Sequence, residues 1–211
     1  VKVGILPELP AYPDSIFIED PALVFSEGAI LLKPGAPSRL GEAEALKPDL
    51  SDHFETVIEI DKGFADGGDI LVTPDNVMIG LSTRTDQNGA RSLIDALARL
   101  GYTGEIVQTP NGVLHFKTAC SLLDEETILM TGAMARSGIF DGFKKIVVPP
   151  EEIGAANALR INESVLVSAR YAKTAEQIDR EGFAVLPLPT GEIEKIDAGL
   201  SCMSLRWFQR P

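Results

Sequence analysis

The chain has 211 residues, 45% of them hydrophobic and 24% charged, which is typical of a folded globular protein and too apolar for a disordered one. Its 31 acidic and 19 basic side chains give a net charge of −12, which argues against nucleic acid or an anionic membrane as a partner, because both attract basic surfaces. No apolar run approaches the roughly 18 residues of a membrane span. Two cysteines make no disulfide framework, so we expect a protein of the reducing cytoplasm.

The hydrophobic pattern predicts a unit of strand, turn, strand, helix and strand that recurs along the chain. The first copy is predicted over residues 16–25, 29–33, 38–47 (helix) and 56–60. The second is predicted over residues 69–73, 77–82, 87–100 (helix) and 105–109. The third is predicted over residues 117–122, 127–131, 133–143 (helix) and 145–148. The fourth is predicted over residues 156–161, 164–169, a helix from Thr174, and 184–188.

Residues 1–6 resemble the closing strand of a further unit, and residues 200–207 resemble its opening strand. No linker rich in Pro or Ser divides the chain, so we expect one domain over residues 1–211. If the units form a ring, the two ends belong to one incomplete unit. We expect its missing strand and helix to precede Val1.

Two helix boundaries carry local signals. Gly101 is well placed to end the second helix in a left-handed conformation. The run Thr174-Ala175-Glu176-Gln177 matches a capping box, which predicts that the fourth helix begins at Thr174.

Four side chains decide whether a thiol and an imidazole can form a site. Cys120 lies within an apolar strand and is expected in the core, and His53 lies in a polar connection and is expected at the surface. Cys202 is either another core thiol or a nucleophile, which would need a base or an electropositive pocket to form the thiolate. His115 follows a turn at the start of a strand, where loops deliver side chains into sites, so pairing with Cys202 is possible.

Paired acids are the next candidates. Glu19 and Asp20 stand inside an apolar run, where two acids are costly unless they are paired, so they either face solvent or form a site for a cation such as a guanidinium. In Asp66-Gly67-Gly68-Asp69 the glycines permit a tight turn, and a carboxylate there is also suited to orienting a histidine.

Two arginines occupy equivalent positions in the predicted units. Arg39 and Arg84 each follow a second strand, so they either lie at the surface or converge on one anion such as a carboxylate. The sequence has no His and Cys spacing of a zinc site, no Walker loop and no Gly-x-Gly-x-x-Gly fingerprint. We therefore predict no metal site and no nucleotide site.

Six motifs in this order resemble the dimethylarginine dimethylaminohydrolase family of the guanidino-group-modifying, or pentein, superfamily. They are FIED at 17–20, KPGAPSR at 33–39, DGGD at 66–69, GLSTRT at 80–85, LHFK at 114–117 and GLSC at 199–202. The resemblance extends from Val1 to about Trp207. It implies an α/β fold, a five-bladed α/β propeller in which ββαβ modules form a pentein ring around a central site, with the first module incomplete in this chain.

The resemblance also implies roles for single residues. Cys202 would be the nucleophile, His115 the general acid and base, and Asp66 the carboxylate that orients His115. The implied substrate contacts are Glu19 and Asp20 for the guanidinium, Arg39 and Arg84 for the α-carboxylate, Asp14 for the α-ammonium, and the backbone of Ile196.

The implied reaction is hydrolysis of an N-methylated arginine to citrulline and an alkylamine through a covalent thiouronium on the cysteine, with no cofactor. The implied partner is this small molecule, and the protein would be a monomer or a homodimer.

Arginine deiminases and amidinotransferases are the alternatives. They typically carry an acid two residues after the histidine, where this chain has Lys117, and they are longer. A non-catalytic homologue that only binds a guanidino amino acid, or a structural ring protein, is the remaining alternative.

Overall fold

The computed structural model describes residues 1–113 and 115–208, so Leu114 of the predicted LHFK motif lies outside the described residues. In this part of the chain the predicted unit occurs four times, each time as a three-stranded sheet with one helix. Module 1 contains β1 (Ala22–Phe25), β2 (Gly28–Leu31), α1 (Glu42–His53) and β3 (Val57–Glu59). Module 2 contains β4 (Ile70–Val72), β5 (Val77–Leu81), α2 (Gln87–Arg99) and β6 (Gly104–Gln108). Module 3 contains β7 (Cys120–Leu122), β8 (Thr127–Met130), α3 (Gly132–Ser137) and β9 (Lys144–Val147), and module 4 contains β10 (Leu159–Ile161), β11 (Ser164–Ser168), α4 (Ala172–Arg180) and β12 (Ala184–Leu188).

All four sheets have the same topology. The first strand of a module pairs antiparallel with the second, and the third pairs parallel with the second on its other side. A parallel neighbour requires a crossover connection, and in each module the helix provides it. The predicted order of strand, strand, helix, strand is confirmed, and the fold is α/β.

The middle strand of each module is its most buried strand, because it pairs with a neighbour on both sides. Every residue of β2 and of β8 is buried. One core cluster joins Ile30 of module 1 to Ile79 and Leu97 of module 2, so neighbouring modules share a core. None of the helices in the described residues is long and apolar enough to cross a membrane.

Three helices differ from their predicted bounds. Helix α1 continues past Pro48, because burial of Leu50 on its inner face outweighs the backbone bond that proline lacks. Helix α3 ends early at Gly138, which adopts a left-handed conformation (φ 78°). Helix α4 begins at Ala172, so Thr174 lies inside the helix and the predicted capping box is wrong. The predicted role of Gly101 is confirmed by its φ of 88° after α2.

The two predicted terminal strands are also wrong. Residues 1–6 and 200–207 are described and neither run contains a strand. The side chains of Val1, Val3 and Ile5 are 77–93% exposed. An extended apolar run becomes a strand only when a neighbour pairs with its backbone groups, and neither run has such a partner in the described residues. The fifth blade, and the single domain over residues 1–211 that lacks the first strand and helix of that blade, therefore stay predictions.

Candidate active site

His115 and Asp66 meet where two short turns approach each other. Asp66 begins a 3₁₀ turn (Gly67–Asp69), and its Oδ1 accepts a hydrogen bond from the Gly68 amide at 3.0 Å. The Nε2 atom of His115 lies 3.5 Å from that same Oδ1, an ion-pair distance, and it has no hydrogen-bond partner among the described residues. Gly68 permits this approach, since a Cβ there would lie 2.9 Å from Cγ of His115.

The protonation of the pair follows from its geometry. Burial lowers the pKa of His115, but the carboxylate of Asp66, together with the charges of Asp69 and Asp20, outweighs burial, and the net pKa is raised. Burial raises the pKa of Asp66, and His115 outweighs it in turn, so this pKa is lowered. The pair therefore favours an imidazolium beside a carboxylate.

Asp69 fixes the backbone next to His115 through hydrogen bonds from two hydroxyls and one amide. Its Oδ2 accepts hydrogen bonds from the hydroxyls of Ser82, at 2.5 Å, and Thr85, at 2.7 Å. Its Oδ1 accepts a bond from the amide of Phe116 at 3.0 Å. Asp69 thus joins the end of β5 to the backbone next to His115.

Glu19 and Asp20 lie in a turn before β1, not inside the strand that the sequence predicted. The two acids differ in charge. Burial and the neighbouring Asp66 carboxylate raise the pKa of Asp20 to about 7, in spite of an ion pair with Arg39. One proton between Asp20 and Asp66 relieves the repulsion of two buried carboxylates.

Glu19 is buried among cations. Its carboxylate lies 2.7 Å from the Lys117 ammonium and 3.1 Å from Nη2 of Arg206, and accepts a bond from the Ser201 hydroxyl at 2.8 Å. Burial raises the pKa of Glu19, but these cations outweigh it and the pKa is lowered. Glu19 is therefore a fixed negative charge.

The Cys202 segment lies against Glu19. The Glu19 amide donates to the Cys202 carbonyl at 3.1 Å, and the Gly199 amide donates to Sγ of Cys202 at 3.4 Å. Burial and then the charge of Glu19 raise the pKa of Cys202, so the uncomplexed protein holds a thiol. The charges of Asp20 and Lys117 also shift the pKa of Cys202, and the charges of Asp20 and Asp66 shift the pKa of His115. One group of charges thus surrounds both the thiol and the imidazole.

The other thiol and imidazole are found where the sequence predicts. Cys120 is fully buried in the core of module 3. His53 is exposed at the end of α1.

The remaining predicted contacts are placed differently. Arg39 is buried, and all three of its guanidinium nitrogens donate to internal acceptors, namely Asp20, Glu42 and two backbone carbonyls. Its predicted contact with a substrate carboxylate stays a prediction and would require these bonds to change. The guanidinium of Arg84 is partly exposed and forms no ion pair with the described residues, so it is open to an anion.

Asp14 and Ile196 remain at the edge of this group. Asp14 is half-buried on a 3₁₀ turn (Pro13–Ile16) whose backbone receives Arg39. Ile196 is half-exposed at the end of a 3₁₀ turn (Ile193–Ile196) before the Cys202 segment.

Four residues of the site were missed as site residues by the sequence analysis: Asp69, Lys117, Ser201 and Arg206. Lys117, noted there only for its charge, stands in the motif of His115, Asp69 in that of Asp66, and Ser201 in that of Cys202. A place in the same short motif was therefore the available signal. Arg206 had no such signal, because its contact with Glu19 joins residues at opposite ends of the chain.

Known proteins resemble this chain along most of its length. A model of the arginine deiminase family matches residues 9–152. A dimethylarginine dimethylaminohydrolase from Pseudomonas aeruginosa is 39% identical over 98% of this chain and 82% of its own length. A solved mutant of that P. aeruginosa enzyme complexed with citrulline superposes with a TM-score of 0.89 at 39% identity, covering 93% of this chain and 77% of the other.

A solved dimethylarginine dimethylaminohydrolase adduct with S-methyl-L-thiocitrulline superposes with a TM-score of 0.92 at 39% identity, covering 97% of this chain and 81% of the other. The agreement in sequence and in fold extends over modules 1 to 4 and over the segment that carries the thiol. The chain therefore belongs to the dimethylarginine dimethylaminohydrolase family.

Proposed function

We propose that this chain hydrolyses an Nω-methylated arginine to citrulline and an alkylamine, with Cys202 as nucleophile, His115 as general acid and base, and Asp66 as the group that orients His115. The observation that carries the proposal is the 3.5 Å contact between His115 and Asp66 within the group of charges that also surrounds the Cys202 thiol. The solved relatives are complexed with citrulline or form an adduct with S-methyl-L-thiocitrulline, and both compounds fit this reaction.

Buried acids support a cationic substrate. Glu19, Asp20 and Asp66 are each at most 6% exposed. A guanidinium matches carboxylates because its planar donors meet their oxygens. Its positive charge beside Cys202 would lower the raised pKa of the thiol, so that the thiol releases its proton to solvent when the substrate binds. The substrate itself would thus activate the nucleophile.

The covalent step divides a difficult hydrolysis into two easier ones. The Cys202 thiolate adds to the central guanidinium carbon, and the protonated His115 gives its proton to the departing methylated nitrogen as the carbon–nitrogen bond breaks. Neutral His115 then takes a proton from water, whose oxygen adds to the same carbon. As the carbon–sulfur bond breaks, the added hydroxyl releases its remaining proton to solvent and becomes the carbonyl of citrulline, and citrulline and the thiolate are released.

The α-amino and α-carboxylate groups of the substrate need partners of opposite charge. Arg84, whose guanidinium is open, is our first assignment for the carboxylate, and Arg39 is the second. Asp14 would receive the ammonium, and the backbone at Ile196 would line the pocket.

Arginine is the second candidate substrate, because the matching family model is that of arginine deiminase. The ion pair between Lys117 and Glu19 argues against it, since it places a cation where a second carboxylate would otherwise bind an unsubstituted guanidinium. The ratio of kcat/KM for asymmetric dimethylarginine to kcat/KM for arginine distinguishes the two, and a ratio below one would favour the deiminase reaction.

The decisive experiment measures dimethylamine and citrulline released from asymmetric dimethylarginine. Wild type should release both in equal amounts, and Cys202→Ser should lower kcat by more than about 10³-fold, because a hydroxyl is a far weaker nucleophile than a thiolate. Cys120→Ser is the matched control and should retain most of the activity, since Cys120 lies in the core of module 3. No release by wild type, or comparable turnover by Cys202→Ser, would contradict the proposal.

We also propose that the protein is a monomer or a homodimer of the cytoplasm, where both free cysteines would stay reduced. Light scattering during size-exclusion chromatography measures the first point. Fractionation of the source cell measures the second.

A further inference from the structure

The segment that carries Cys202 is held from two sides. Module 1 holds it through Glu19, whose amide and carboxylate bind the Cys202 carbonyl and the Ser201 hydroxyl. The other side of the segment faces Asn157, which stands at the entry to β10 of module 4. The thiol is therefore positioned by two separate parts of the fold.

Asn157 fits this segment closely. The residue is buried, with 8% of its surface exposed, and its Oδ1 accepts a hydrogen bond from the Ser201 amide at 3.1 Å. Gly199 packs directly on the amide group, where a Cβ at position 199 would lie 2.3 Å from Cγ of Asn157. The same Gly199 donates its backbone N–H to Sγ of Cys202 at 3.4 Å. Asn157 thus contacts the residues on both sides of the turn that aims an N–H at the thiol.

We propose that Asn157 is a positioning residue for Cys202, which holds residues 199–201 so that the Gly199 N–H stabilises the thiolate. A hydrogen bond to the charged form of a group favours that form, so this N–H opposes the groups that disfavour the thiolate. The inference rests on the proposed function only in assigning the nucleophile to Cys202.

The charged groups that face Cys202 have opposing effects on its thiolate, so the hydrogen bond from the Gly199 N–H adds to those that favour it. Glu19 and Asp20, both from module 1, disfavour the thiolate, and Lys117, from the 3₁₀ turn after His115, favours it. Lys117 is already paired with Glu19 at 2.7 Å. Among the described residues, the Gly199 amide is the neutral donor that bonds Sγ of Cys202, and it favours the thiolate before substrate binds.

The test measures alkylation of Cys202 by iodoacetamide as a function of pH, with the Cys202 and Cys120 peptides quantified separately by mass spectrometry. Asn157→Ala should lower the Cys202 alkylation rate at pH 8 about tenfold, the effect of raising its pKa by one unit. With substrate, kcat should fall by a similar factor while KM changes less than about threefold, since Asn157 is not among the substrate contacts.

Thr174→Val is the matched control. Thr174 is another buried polar residue of module 4, and its hydroxyl donates to Glu152 instead of to the Cys202 segment. This variant should lower thermal stability without moving the pH dependence of Cys202 alkylation. If Asn157→Ala likewise leaves the pH dependence unchanged, Asn157 is only structural and the proposal is overturned.

Gly199→Ala keeps the proposal testable if Asn157→Ala fails to fold. It leaves Asn157 in place but forces the segment away from it, and it should slow Cys202 alkylation in the same direction. Gly191→Ala, in the same connection and with no atom near its new Cβ, should have no effect. Equal rates in the two glycine variants would overturn the proposal. Alkylation requires no turnover, so a protein without hydrolase activity would contradict the proposed function and leave this measurement intact.

Discussion

Of the three carboxylates that favour the charged form of His115, Asp66 has the largest effect, and Asp69 and Asp20 act in the same direction. Asp66 opposes the effect of burial and raises the imidazole pKa above its ordinary value. The proposed general acid must be protonated to act, so activity should be lost as the pH rises through this pKa. Asp66 therefore makes the largest single contribution to the upper pH limit of the reaction.

Asp66→Asn should move that limit to lower pH. The amide keeps an oxygen for the Gly68 N–H but loses the negative charge, so the desolvated imidazole should lose its proton more easily. NMR titration of the imidazole protons measures this directly, because the chain has two histidines and the signal of exposed His53 is an internal reference. The alkaline limb of kcat/KM should fall at a lower pH in the variant.

Asp61→Asn is the control for this measurement. Asp61 is an exposed acid of the same connection between β3 and β4 and bonds Ser92 away from the imidazole. The His115 titration should be the same in this variant and in wild type. An unchanged His115 titration in Asp66→Asn would mean that Asp66 does not control the imidazole.

At the scale of an element, helix α4 is capped by a residue that is remote in sequence. The Glu152 carboxylate accepts hydrogen bonds from the amides of Lys173, at 3.2 Å, and Thr174, at 2.8 Å, in the first turn of the helix. The residue before the helix, Tyr171, provides no side-chain cap. Glu152 supplies acceptors for helix donors that would otherwise be unpaired.

Glu152→Ala should lower the free energy of unfolding by about 1–2 kcal/mol, the usual cost of losing a helix cap. Urea unfolding followed by circular dichroism measures the change. Glu151→Ala is a matched control, because Glu151 is the adjacent acid but is exposed and only forms an ion pair with Lys173. Its cost should stay below about 0.5 kcal/mol. Similar losses in the two variants would refute the capping role of Glu152.

This cap explains which elements the sequence predicts well. The strands β5, β8, β11 and β12 lie within a residue of their predicted ends, because apolar runs between turn residues are a local property. The start of α4 depends on Glu152, which is 22 residues from Thr174, and the continuation of α1 through Pro48 depends on burial. Such tertiary effects leave no local signal in the sequence.

The candidate site divides in the same way. Cys202, His115 and Asp66 were recognisable because each stands in a short motif. The ion pairs of Arg39 with Asp20 and Glu42 were not predictable from motifs, because a motif does not encode distances between side chains. The same holds for the ion pairs of Glu19 with Lys117 and Arg206.

Across the whole molecule, the last described segment joins module 1 to module 4. Trp207 packs on Phe54 of module 1 with 4.9 Å between ring centroids, while Asn157 holds Ser201 from module 4. Arg206 donates to the carbonyls of Ser201 and Ser204 and to the carboxylate of Glu19. The thiol segment is thus part of the connection between the first and last modules.

Arg206→Met should therefore weaken this connection as a whole. Glu19 would keep Lys117 and Ser201 as partners, and Arg206 is partly exposed, so we expect a loss of only about 1–2 kcal/mol in the free energy of unfolding. Hydrogen exchange should also become faster at the Glu19 amide, because that amide bonds the Cys202 carbonyl.

Arg180→Met provides the comparison that makes this prediction specific. Arg180 also forms an ion pair, with Glu176, but the pair is exposed and lies within one helix. Its removal should cost less than about 0.5 kcal/mol and leave exchange at Glu19 unchanged. If both variants cost the same and neither alters exchange at Glu19, Arg206 behaves as a surface residue, and the other contacts of residues 201–207 join the first and last modules without it. If only Arg206→Met speeds hydrogen exchange at the Glu19 amide, the ion pair between Arg206 and Glu19 supports both the position of the thiol and the connection between modules 1 and 4.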